Sequence, residues 1–468
     1  MTADAAAPAP PRWRDVFRGP QGRLIIGLLV LETLFALHFL TVATVMPAVL
    51  TDLGDISLYG ASFWAASLMQ LACIPIASGA VDRFGPRRVL VVLAVVYACG
   101  LLVAAFAPTM LFVVLGRSLQ GIAAGGGYAL SIGVVAKQMP EEHRARILAL
   151  LATTWILPGL LGPGVGAILV STVGWRWAFA APLPVLVICL IMILPTLRVV
   201  PRVEETDIPV KRSLWLAVGG SVLFASLTFP SPLTLAAGAA GGVLAWLGLR
   251  SLTPPGTFRA RPGPPAAAAA AFLSSVTFAA ADSFVSLMLT EVRGLSIAAV
   301  GIGFTCQTFA WTAGSWWQSR QVERRSLGSI VTIGTVIMAC GFGVAATGLV
   351  PAVPIAVAYV GWVAAALGMG IVFPTIPLSA MQAAGAGREA SDLSPTLLMD
   401  MTGVAVGQGF GGVALANAVA IGLGIAVGLG GAFLTTGVAA ILLLLVASRI
   451  PDRASRSASR APAGEPVA

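Results

Sequence analysis

The chain has 468 residues, of which 57% are hydrophobic and only 10% charged, and its mean hydropathy is +0.93. A soluble domain carries about a quarter charged residues, so a string of soluble domains is excluded and an all-α polytopic membrane protein is expected. The net charge of +9 is scattered through short loops rather than gathered on one face, which argues against a nucleic-acid partner and for the charge bias of membrane loops.

Taken in order, a basic leader over 1–23 carries Arg12, Arg14, Arg18 and Arg23. The first apolar run, 24–50, is too long for a cleavable signal. Further spans are predicted at 57–79, 87–108, 110–137, 144–171 and 177–198, then 213–229 and 232–249, and finally 266–290, 296–318, 327–348, 353–383, 392–418 and 421–447. That is an amino-terminal six-helix bundle over 24–198, a linker with two extra helices over 199–265, and a carboxy-terminal six-helix bundle over 266–447. A polar tail over 448–468 is expected to be disordered. The short, Gly/Ala-rich pair within 213–249 also fits a hairpin that dips into the bilayer without crossing, giving twelve spans instead of fourteen.

Of the 28 Lys and Arg, Arg117 lies within a span and Arg176 and Arg293 in outer loops, while the other 25 fall in the termini and the alternate loops. The positive-inside rule then places both termini in the cytoplasm, and an even number of spans follows. The five cysteines, Cys73, Cys99, Cys189, Cys306 and Cys340, all fall in apolar runs without CxxC pairing. They read as small apolar residues, not as metal ligands or disulfide partners. No nucleophile elbow, metal cluster or phosphate loop is present, so neither an enzyme, a cofactor nor a metal is expected.

An ionisable side chain at mid-bilayer costs roughly 2.5–3.5 kcal/mol on insertion scales, so each needs a function or a partner. Glu32 and His38 lie in the first span. At 1.5 Å per residue they are about 9 Å apart along the helix and about 120° apart around it, so they do not pair directly. Arg117 lies in the fourth span, Asp282 near the middle of the ninth and Asp400 in the thirteenth. A buried guanidinium stays charged; it holds a carboxylate ionised, neutralises an anionic group, or is satisfied by backbone carbonyls. Trp64, Gln120, Tyr128, Trp155, Phe304, Gln307 and Trp311 are candidates for a substrate pocket.

Three stretches have a specific order. Ser78 to Leu90 packs Asp82, Arg83, Gly85, Pro86, Arg87 and Arg88 between two spans, where Asp82 is expected to cap the next helix or pair with one of the arginines. Arg117-Ser118-Leu119-Gln120-Gly121 is followed by Gly125-Gly126-Gly127. Pro158-Gly159-Leu160-Leu161-Gly162-Pro163-Gly164-Val165-Gly166 puts small residues along one helix face, which allows close helix approach. Gly314-Ser315-Trp316-Trp317 with Arg320, Arg324 and Arg325 stands at the position of Asp82–Arg88 in the second six spans, a weak echo of an internal repeat.

These motifs resemble those of the major facilitator superfamily of transporters, most closely its fourteen-span drug/proton antiporters. The resemblance covers about residues 24–447. It implies two six-helix bundles that rock around a central cavity, protons exchanged for an apolar or amphiphilic small molecule, and a monomer in the cell membrane with lipid around it. It assigns proton coupling to Arg117 and gating to Asp82, Arg83, Gly85, Arg87, Arg88, Pro158, Gly162, Pro163 and Gly166. Departures exist: Pro158 and Ala167 replace glycines of the fifth-span motif, and His38 stands where the first-span pattern carries an aspartate. Asp282, Glu32 and His38 are the proton sites expected, with Asp282 facing Glu32 or His38 and Asp400 an additional candidate. A proton symporter or a lipid or metabolite exporter of the same fold is the alternative.

Overall fold

The computed structural model describes residues 17–139, 141–197, 210–383 and 389–450. The leader up to residue 16, most of the expected loop at 198–209 and the tail from 451 lie outside the described residues. Sixteen α-helices and no strand occur among the described residues, as expected where no water satisfies the backbone and each segment must do so internally. Twelve helical segments among them are long and apolar enough to cross a membrane.

The first half begins with α1 (Gly19–Leu53), α2 (Ala61–Phe84), α3 (Pro86–Ala105) and α4 (Met110–Gln138). Gly85 has φ +83°, open to a residue without a Cβ, and this turns the chain between α2 and Pro86 at the start of α3. The predicted fifth span is broken into α5 (Glu141–Thr153) and α6 (Ile156–Thr172). The cause is local. Thr153 and Thr154 donate their hydroxyls back to the carbonyls of Leu150 and Leu151, and Pro158 has no N–H for the carbonyl of Thr154. The predicted sixth span likewise divides into α7 (Arg176–Ala180) and α8 (Pro182–Ile193), with Pro182 at the first position of α8.

Two further helices, α9 (Val210–Thr228) and α10 (Pro232–Leu252), follow. With 19 and 21 residues they extend about 28 and about 31 Å at the usual rise, each comparable with a hydrocarbon core. Their turn is well made: Ser231 and Thr234 form a reciprocal capping box ahead of α10. The second half comprises α11 (Pro264–Leu287), α12 (Ile297–Gln321), α13 (Leu327–Ala345), α14 (Ile355–Ala383), α15 (Glu389–Ala420) and α16 (Gly424–Ala447). A π-helical turn, Met288–Val292, prolongs α11.

The halves repeat one another through glycine contacts. A Cβ built on Gly121 or Gly125 of α4 would stand 2.1 Å from the carbonyl oxygens of Ala66 and Gln70 in α2. In the second half, a Cβ on Gly370 of α14 would meet the Trp311 oxygen of α12 at 2.1 Å, and one on Gly314 the Leu367 oxygen at 2.2 Å. So α2 with α4 matches α12 with α14, which is the repeat the weak sequence echo pointed to. The halves then meet along two related seams. In one, Gly159 and Pro163 of α6 face Thr308 and Gly301 of α12; in the other, Gly60 ahead of α2 faces Gly412 of α15. Small residues bring backbones together where lipid supplies no hydrophobic drive between helices.

The two ends of the bundle collect alternate loops. At one, Asp52 pairs with Arg176 at 2.7 Å and accepts from the Trp175 indole, while Arg293 donates to the carbonyls of Val350 and Val353. At the other, Asp82 pairs with Lys137 and Arg449 donates to the Arg259 carbonyl. The pairing of Asp82 corrects the expectation of a cap or an arginine partner. Gly85 caps α3 without any side chain. The turn leaves Arg83, Arg87 and Arg88 exposed, while the last turn of α2 faces the last turn of α4.

Candidate functional site

The helices place isolated polar side chains in an otherwise apolar interior, and these gather in three groups. The first lies between α1, α3 and α4. Gln120 donates its amide N–H to the Gly100 carbonyl at 3.0 Å, which turns its oxygen towards both His38 and Arg117. His38 Nε2 lies 3.0 Å from that oxygen and Arg117 Nη1 lies 3.1 Å from it. Because the oxygen only accepts, His38 donates through Nε2, a tautomer assigned from the network. The second bond of Arg117 runs from Nε to the Ser62 carbonyl at 3.3 Å. These residues, with Tyr97, Phe35, Phe39, Ser67, Gln70 and Ala124, surround a cavity of about 30 Å³.

The second group is a pair of carboxylates, one in each half. Glu32 on α1 accepts from the Ser131 hydroxyl of α4 at 2.8 Å, and Asp400 on α15 accepts from Ser275 of α11. Tyr128 of α4 lies within electrostatic reach of both carboxylates. Glu32 and His38 thus have separate partners, as their helical spacing predicts.

The third group is internal to the second half. Asp282 of α11 accepts from Gln307 of α12 at 2.5 Å and from the Trp362 indole of α14 at 2.8 Å. Phe304 packs edge-on against Trp362, with ring centroids 4.8 Å apart. Asp282 therefore makes its hydrogen bonds within its own half, where the sequence reading expected it to face Glu32 or His38. Two donors from α12 and α14 turn it that way.

The remaining aromatic candidates are placed elsewhere. Trp64 lies against Phe224 of α9, 5.6 Å between centroids, in a small cluster with Leu68, Val114 and Ala405. Trp155 is 49% exposed at the break before α6, touching Phe39 edge-on. Trp311 lies between Phe278, which it meets edge-on, and Phe373, which is tilted against it. Sequence reasoning missed Tyr97, Ser131, Trp362 and Gln408. Uncharged polar residues inside apolar helices carry little signal, and Gln120 stood out only through the Arg117–Gly121 stretch that contains it. Among the described residues no group of three His, Cys, Asp or Glu side chains is placed to hold a metal ion.

Two structurally repeated bundles, meeting along small-residue seams with buried charges distributed between them, make up a polytopic membrane transporter. The model of the Major Facilitator Superfamily matches residues 28–394, and the chain belongs to that superfamily. It is a transporter, not an enzyme. A probable multidrug-efflux transporter of Mycobacterium tuberculosis is 25% identical over 456 residues, covering 92% of this chain and 95% of the relative. The multidrug transporter protein MdtP of Bacillus subtilis is 27% identical over 206 residues, 44% of this chain and 38% of its own. Among solved structures, a D-xylose–proton symporter superposes with TM-score 0.64 at 15% identity, over 93% of this chain and 99% of its own. The POT family transporter PepTSo gives 0.67 at 13% identity, over 95% and 99%.

Proposed function

We propose that this protein exports apolar or amphiphilic small molecules in exchange for protons, by alternating access of an amino-terminal half (24–198) and a carboxy-terminal half (266–447). The single observation that carries the reading is a carboxylate inside each half, Glu32 on α1 and Asp400 on α15, each hydrogen-bonded to one serine of a neighbouring helix. A proton bound to a carboxylate whose surroundings change as the halves move couples its binding to the motion, because its stabilisation differs between the two arrangements. The relatives named as multidrug-efflux transporters support the outward direction.

In this reading the chain crosses the bilayer fourteen times, with α5 and α6 together forming one crossing and α9 and α10 adding two between the halves. Both termini lie on the cytoplasmic side of the cell membrane with the Asp82–Lys137 pair, and the Asp52–Arg176 pair lies outside. A monomer in lipid is sufficient for the cycle. The test is transport in proteoliposomes with an imposed pH gradient. An antiporter drives a fluorescent lipophilic cation out of the compartment against the inward proton flow, and collapsing the gradient stops it. Accumulation of the substrate in the same direction as protons would establish a symporter instead.

A further inference from the structure

Among the described residues Arg117 is the only lysine or arginine that is buried, 4% exposed. Among the described residues no carboxylate pairs with it. Glu32 is engaged by Ser131, Asp400 by Ser275, and Asp282 by Gln307 and Trp362. Its two hydrogen bonds go to neutral oxygens, those of Ser62 and Gln120. A guanidinium has five N–H donors and remains charged at any physiological pH, so donor capacity and a full positive charge are left over in a medium where an unpaired charge is costly.

The cavity beside it has the complementary character. Tyr97 lines it with a fully buried hydroxyl that has no hydrogen-bond partner, its ring held edge-on by Phe35 and His38. The Gln120 oxygen is used twice over, by His38 and Arg117, and its amide is spent on Gly100. What the residues of this corner still offer is the donor side of Arg117, the hydroxyl of Tyr97 and Nδ1 of His38. The cavity's volume of about 30 Å³ has room for an occupant of one or two water molecules' size, which suits a monatomic anion.

We infer that this cavity, between α1, α2, α3 and α4, is a binding site for a small monovalent anion of the chloride type, held by Arg117 and the Tyr97 hydroxyl. The anion neutralises Arg117 inside the amino-terminal half and leaves Glu32 and Asp400 free of it. The inference does not rest on proton exchange.

The test uses the purified full-length protein in lipid nanodiscs, with no pH gradient and no transported substrate, so its result is independent of the direction and coupling of transport. Melting is followed in sodium chloride and in sodium gluconate at matched ionic strength and pH, and binding of radiolabelled chloride is measured directly. Expected are a saturable rise in melting temperature with chloride and not with gluconate, and retained radiochloride at about one per protein. Tyr97→Phe removes one donor to a charged ligand and should raise the half-saturating chloride concentration about tenfold. Arg117→Gln should abolish both responses; if that variant does not accumulate, the wild-type binding and Tyr97→Phe decide. Equal melting in the two salts without radiochloride binding would mean that the cavity holds water alone, and would overturn the inference. A chloride response unchanged in Tyr97→Phe would put the anion elsewhere and overturn it equally.

Discussion

The hydroxyl of Ser67 on α2 donates to Oε1 of Gln408 on α15 at 2.7 Å, and Gln408 in turn donates to Ser283 of α11 at 3.2 Å. Ser67 and Gln408 are both buried, and the bond joins one half of the transporter to the other. It lies on the same seam as the Gly60–Gly412 contact and the weak bond between the hydroxyls of Tyr59 and Ser286, 3.5 Å apart. A polar latch on an apolar seam favours one arrangement of the halves, because its groups go unsatisfied when the seam parts unless water reaches them.

Gln408→Leu and Ser67→Ala should therefore shift the protein away from the arrangement seen here. Loss of one such bond is worth about 1 kcal/mol, or about fivefold in the ratio of the two arrangements. Distances between spin labels at Thr51 and Leu423, both exposed at this end of the bundle, measure the ratio. An unchanged distribution in both variants would show that the latch has no part in the cycle.

Glu32→Gln and Asp400→Asn keep shape and hydrogen bonding while removing the ability to carry a charge. Each is expected to reduce proton-driven efflux at least tenfold, with normal accumulation in the membrane. The proton uptake that accompanies substrate release in everted vesicles should fall in parallel. Full efflux in the double variant would assign coupling to other groups, with Asp282 next to be tested.

Glycine contacts can be tested by what a side chain would strike. Gly121→Val and Gly370→Val thrust carbon into the carbonyl oxygens of Ala66 and Trp311, neither of which can yield without moving a helix. Overpacking of this kind costs about 1–3 kcal/mol or more. Both variants should melt lower on size-exclusion chromatography after heating. Gly437→Val, where a Cβ meets nothing within 4 Å, should melt like the parent.

The path of α9 and α10 is read by labelling. In a background with the five cysteines replaced, Ser231→Cys at the turn should react with a membrane-impermeant maleimide from outside intact cells. Ser326→Cys, ahead of α13 at the opposite end, should react only after permeabilisation. Protection of Ser231→Cys from the outside would indicate a hairpin that enters and leaves by the cytoplasmic face.

Apolar runs of membrane length, the Asp-Arg-x-Gly turn, the Arg117–Gly121 stretch and the glycine face of α6 determined, by themselves, that this is a two-bundle transporter with charges kept inside it. They could do so because hydropathy, charge sidedness and small-residue spacing are properties of a segment and its solvent. Partnership is not such a property. That Asp82 answers Lys137, that Asp282 turns towards Trp362, and that Tyr97 is left beside an unpaired Arg117 depended on how helices distant in sequence are rotated against one another. Only the tertiary structure decided these, because helix rotation is set by close packing of glycine against backbone over whole interfaces, and each polar side chain then takes the nearest group that will satisfy it.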